Sequence, residues 1–276
     1  MRDQFCLNAA TIKTTPLERQ IQIASTSGFA KIGLWLEDVD AAVRGGKSLG
    51  DISALLRHAG LEVNEFCFVG GWQETDEEGI PKIMKDARRI FQVSQALGCD
   101  LVVAVPAQTA GFLKDGPMRF RRLCEIAAGF QVRIALEFVG TAAEVKDVRT
   151  AWHIVSTAGC DNGGLVLDTF HFFMGGSQAQ DLSEVPNERI FLVHISDAMN
   201  IPAEKLRMPH DSRTFPGHGI INYGPIFGQL GRLGYKQAIS LEVWNQELHR
   251  ADPAEVVRKG FESLCRLEHS VMVQNG

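Results

Sequence analysis

The chain has 276 residues, of which 45% are hydrophobic and 22% charged, the proportions of an ordinary soluble globular protein. A formal net charge of −5 and a pI near 5.9 offer no basic face for nucleic acid or for an anionic membrane. No apolar run reaches the length of a membrane span, and MRDQFCLNAA lacks a signal-peptide core. The six cysteines show no C-x-x-C spacing, so the expectation is a cytoplasmic protein with reduced, mostly buried thiols.

In chain order, short β-rich runs alternate with longer amphipathic stretches. FCLNAAT from Phe5 is the first strand, followed by the helical pattern PLERQIQIASTSG. KIGLWL from Lys31 is the second, with SLGDISALLRHAG after it. LEVNEFCFV from Leu61 and LVVAVPAQ from Leu101 are the third and fourth, separated by PKIMKDARRIFQVSQALG. RIALEFV from Arg133, GLVLDTF from Gly164, IFLVHIS from Ile190 and AISLEVW from Ala238 complete the set, with GPIFGQLGRLG before the last. Gly28, Gly60, Gly98 and Gly234 each stand where a helix should stop before the next strand. Eight strand–helix units in about 250 residues are the arithmetic of a (β/α)8 TIM barrel, an α/β fold. A doubly wound sheet usually carries a Gly-rich first turn, and LNAATIKTTP has none. No linker or repeat divides residues 1–276, which read as a single domain.

Four of the apolar runs end on an ionisable residue: Glu137, Asp168, His194 and Glu242. A carboxylate closing a buried strand is costly without a partner. Active sites of this fold lie at the C-terminal strand ends, where these four would converge. Three carboxylates and an imidazole suit one divalent ion per chain: Mn2+, Mg2+, Co2+ or Zn2+. Such an ion, chelating a carbonyl and its neighbouring hydroxyl, acidifies the C–H between them and stabilises an enediolate. A ligating carboxylate with a free oxygen then moves the proton, a task assigned to Glu137 and Glu242.

The motifs VVAVP, IALEFVG, GLVLDTFHF, VHISDA, SRTFPGHG and ISLEVW, in this order, resemble the xylose-isomerase-like TIM-barrel family of sugar isomerases, epimerases and dehydratases. Within it the chain is most similar to the inosose (2-keto-myo-inositol) isomerases, which implies inositol catabolism. The resemblance makes Glu137, Asp168, His194 and Glu242 the metal ligands and Glu137 with Glu242 the acid/base pair. It also places His171 and Arg213 against substrate oxygens, His171 being a second candidate base. A departure is EVWNQELH, which lacks the Arg-Pro of the isomerases and looks like the 3-dehydroshikimate dehydratases. Those enzymes carry an arginine after the third strand, where FVGGWQETDEEG stands here, so a dehydratase is the alternative. The implied partner is a small keto sugar or polyol, with self-association into a homo-oligomer left open.

Further residues follow from strand position. Trp35, Phe66 and Trp72 are expected to wall the sugar face, Glu65 and Asn8 to line the pocket, and His218 to approach it. Asp197 and Asn245 directly follow the metal strands and are expected to steady the ligands.

Overall fold

The structure is a computed structural model and describes residues 2–73, 80–206 and 211–274. The strands are β1 (Phe5–Asn8), β2 (Lys31–Trp35), β3 (Glu62–Val69), β4 (Leu101–Ala104), β5 (Arg133–Glu137), β6 (Gly163–Asp168), β7 (Ile190–Ile195), β8 (Asp197–Ala198), β9 (Arg213–Thr214) and β10 (Ile239–Leu241). β1 to β7 and β10 close into a parallel barrel, in which β1 joins β10 on one side and β2 on the other. The eight runs read from sequence are these eight strands. Every residue of β6 and of β7 is buried, as expected of strands with a packed interior on one face and helices on the other.

The helices follow the amphipathic stretches. Ser48 and Asp51 form a reciprocal capping box at the start of Leu49–Ala59, and Asp147 caps Val148–Ala158. Gly60 and Gly234 end their helices in the left-handed conformation, with φ of +68° and +75°, which a side chain would oppose. Three departures from strict alternation appear. β2 is followed by two helices, Leu36–Arg44 and Leu49–Ala59, so the barrel gains an extra turn of cover there. The helix after β6 is cut to Thr169–Met174 and supplemented by a 3-10 turn, Ala179–Glu184. β8 and β9 pair antiparallel as a small ribbon outside the barrel, with Ala198 opposite Arg213.

All six cysteines are free thiols, and Cys6, Cys67, Cys99 and Cys124 are buried. Among the described residues no helix is long and apolar enough to cross a membrane.

Candidate metal centre

The barrel brings the four strand-end residues together. Glu137 and Asp168 are the last residues of β5 and β6, His194 lies level with Asp168 on β7, and Glu242 directly follows β10. One donor atom from each of the four lies within 4.8 Å of every other. His194 Nδ1 is the centre of the group, 3.1 Å from Glu137 Oε1 and 3.4 Å from Glu242 Oε2. Three carboxylates and one imidazole nitrogen, all buried and sharing one small volume, are a donor set that fits a divalent cation.

The electrostatics have the same origin. Burial, with Glu137 alongside, lifts the Glu242 carboxyl to about 7. Burial would lower the His194 imidazole, but Glu242, Glu137 and Glu65 outweigh it and hold it well above its ordinary value. Burial would raise Asp168, yet Arg213, His171 and His194 keep it at about 2. The cluster therefore retains protons that a cation would displace.

Arg213 and His171 also reach this site, but in unequal ways. Arg213 Nη1 is paired with Asp168 Oδ2 at 2.7 Å and bonds Ser196 Oγ at 3.1 Å. Its Nη2 lies 3.0 Å from His171 Nε2, and the guanidinium covers the Phe170 ring at 4.6 Å from the centroid. Sequence reasoning aimed Arg213 at substrate oxygens; the structure puts it at the cavity wall with most of its donors committed to protein groups. The reason is β9, which lays the guanidinium across the end of β6. Burial, with Arg213 close by, lowers the His171 imidazole despite the opposing Asp168, so it is neutral.

Above the cluster opens a cavity of ≈ 270 Å³. Trp35 lines it, with Phe68 edge-on at 5.4 Å and Trp244 at 5.3 Å between ring centroids. Phe66 is not part of this wall. It pairs level with Val102, whereas Cys67, Phe68, Val103 and Val105 face the cavity, so Phe66 points to the helix layer. Trp72 is also displaced from the expected wall: it is buried against Phe120 and bonds the Val105 carbonyl. Trp244 was the missed member, and its position two residues after Glu242 along an extended segment is the signal that pointed to it.

Glu65 and Asn8 do not line the cavity but lie beneath it, fully buried. His218 is exposed and lies away from the site, near Arg266. Asp197 and Asn245 act on loops. Asp197 accepts from the backbone N–H groups of Gly217, Gly219 and Ile221, while Asn245 Nδ2 donates to the Arg213 carbonyl at 2.9 Å. Of the segment read after the third strand, residues 74–79 lie outside the described residues.

Comparison with known proteins agrees with this fold. The family model described as xylose isomerase-like TIM barrel matches residues 21–267. The chain belongs to the xylose isomerase-like TIM barrel family. Inosose isomerase of Bacillus velezensis is 28% identical over 94% of this chain and 95% of its own. 3-Dehydroshikimate dehydratase of Pseudomonas aeruginosa is 27% identical over 91% of this chain but only 40% of its own length. The crystal structure of the IolI protein with a bound zinc atom superposes with a TM-score of 0.88 at 26% identity, covering 95% of this chain and 96% of that one.

Proposed function

We propose that this protein is a divalent-metal-dependent isomerase of a keto polyol or keto sugar of the inosose type, working through an enediolate. The observation that carries the reading is the buried group of Glu137, Asp168, His194 and Glu242 at the base of an aromatic-walled cavity. Those four residues would hold the ion, which when bound would supply Lewis acidity for polarising a substrate carbonyl. The zinc in the IolI structure supports a divalent ion here, with Zn2+, Mn2+, Mg2+ and Co2+ as candidates.

The chain's own groups do the rest. Glu137 and Glu242 flank His194 from two sides and both line the cavity, each turning one oxygen toward the imidazole. The other oxygen of one takes the proton from the hydroxyl-bearing carbon beside the carbonyl. The proton of the original hydroxyl passes to the former carbonyl oxygen, a carboxyl returns a proton to the former carbonyl carbon, and carbonyl and hydroxyl have exchanged places. Trp35, Phe68 and Trp244 pack the ring and exclude water. Neutral His171, held by Arg213, contacts a substrate hydroxyl.

The relationship to dehydroshikimate dehydratases brings a second reading, and the cavity charge ranks it lower. A substrate carboxylate needs a cation. Among the described lining residues the permanent cation is Arg213, already paired with Asp168. The test is to incubate metal-loaded protein in D2O with a panel of inososes, ketohexoses and dehydroshikimate. The expected result is deuterium at the carbon next to the carbonyl of an inosose or ketohexose, with no new ultraviolet absorption. A conjugated chromophore arising from dehydroshikimate would replace this reading with the dehydratase.

A further inference from the structure

β3 carries a carboxylate to which the proposed reaction gives no task. Glu65 is fully buried below the cluster and takes no part in the cavity lining. A buried charge is costly unless it is paired and hydrogen-bonded, and the surroundings of Glu65 are assembled to do that. Ser240 Oγ donates at 2.6 Å, Asn64 Nδ2 at 2.6 Å, Asn8 Nδ2 at 3.4 Å and Cys6 Sγ at 3.5 Å. Gly33, level with Glu65 on the neighbouring β2, leaves room for it: a Cβ there would collide with Glu65 Oε1. Residues on three other strands are thus chosen around one side chain.

The remaining neighbour is His194. Its Nδ1 faces Glu137 and Glu242, while its Nε2 is buried without a hydrogen-bond partner, 3.7 Å from Glu65 Oε1. A small tilt of the ring converts that approach into a hydrogen bond. An imidazole that ligates through one nitrogen must carry its proton on the other, and a carboxylate behind it fixes both tautomer and ring plane.

We infer that Glu65 is the positioning residue of the metal centre: it keeps the proton of His194 on Nε2 and so turns the Nδ1 lone pair toward the cation. This rests on reading the four-residue cluster as a metal site. The same carboxylate reaches the cavity wall, because Asn8 donates to Glu65 and accepts from Trp35 Nε1 at 2.9 Å. Ligand orientation and the aromatic wall therefore share one hydrogen-bond chain.

The test uses Zn2+ on chelator-stripped full-length protein, wild type, Glu65→Gln and Glu65→Leu. Long-range 15N–1H NMR of the zinc-loaded wild type should show the metal on Nδ1 of His194 and the proton on Nε2. This measurement needs no variant and stands if Glu65→Leu fails to fold. Zinc affinity, from competition with a chromophoric chelator, should fall roughly 10–100-fold in Glu65→Leu. It should fall less in Glu65→Gln, whose amide oxygen can still accept. Zinc on Nε2, or wild-type affinity in both variants, overturns the inference while leaving the metal centre intact. Absence of zinc uptake by the wild type overturns the metal centre and the inference together.

Discussion

Asp168 shows how much one strand-end carboxylate can carry. Its Oδ1 accepts from His171 N at 2.8 Å and caps Thr169–Met174, while Oδ2 pairs with Arg213. Arg213 in turn holds His171, so the backbone cap, the ion pair and the imidazole form one rigid unit. Glu137 has no such clamp, and Glu242 has only a longer approach to Arg213, 3.5 Å from Nη1 to its Oε2; each has a single oxygen near His194. In the proposed reaction that difference separates a ligand that holds from ligands that also move protons. Glu137→Gln and Glu242→Gln retain an oxygen donor but lose the basic oxygen. Turnover should fall about 10²–10⁴-fold in each, by more than metal affinity does. Parallel titrations of metal binding and of kcat check this, and a variant that keeps its rate identifies a purely structural glutamate.

At the scale of elements, the β8–β9 ribbon decides where Arg213 goes. Asp197, at the start of β8, gathers the loop after β9 by accepting from Gly217, Gly219 and Ile221 at 3.0, 3.0 and 2.9 Å. Gly219 admits no side chain, because a Cβ would collide with the Ala198 carbonyl and the Asp197 carboxylate. The FPGHG loop is therefore held by a carboxylate some twenty residues earlier, not by its Pro-Gly pair alone. Asp197→Ala leaves the buried Ile221 N–H without its acceptor, whereas water can reach the other two. The expected cost is about 1–3 kcal/mol, read as a lower urea midpoint at unchanged slope. Looser placement of Arg213 should also raise KM. An unchanged midpoint and KM would show that the loop holds its shape without Asp197.

For the molecule as a whole, barrel closure concentrates four carboxylates (Glu65, Glu137, Asp168 and Glu242) around two imidazoles (His194 and His171) and one guanidinium. Without a cation this has a pH signature. Glu242, lifted to about 7, binds a proton in the folded state that the unfolded chain has already lost, so stability declines as pH rises from the ordinary carboxylate value toward 7. His194, raised, contributes stability that is complete below its ordinary value and is lost as pH rises through its folded value. Both signs agree. The lowered Asp168 and Glu65 lose their contributions only in more acid solution. Chelator-stripped protein should melt at a lower temperature at pH 8 than at pH 5.5. A divalent cation displaces the same protons, so its stabilisation should grow across that window, reaching about 2.7 kcal/mol at a hundredfold excess over Kd. Melting curves with and without chelator at several pH values test both statements. A stripped protein more stable at pH 8 would contradict them.

The sequence by itself determined the barrel and the ring of strand-end residues. Eight short apolar runs separated by amphipathic stretches leave few other closed arrangements, and a polar residue closing a buried run is visible as a break in hydropathy. It could not determine which face each strand residue takes. Strands buried on both sides carry no polar–apolar alternation, so Phe66 and Cys67 look equally suited to the cavity in the text of the chain. The register shift between Ile32 and Gly33, where β2 meets β3, fixes the choice and sends Glu65 and Cys67 inward with Phe66 outward. Closure of the barrel, a condition on all eight strands at once, then sets Glu65 behind His194 and β9 across the end of β6. Those placements depend on contacts between residues far apart in the chain, and only the tertiary structure decides them.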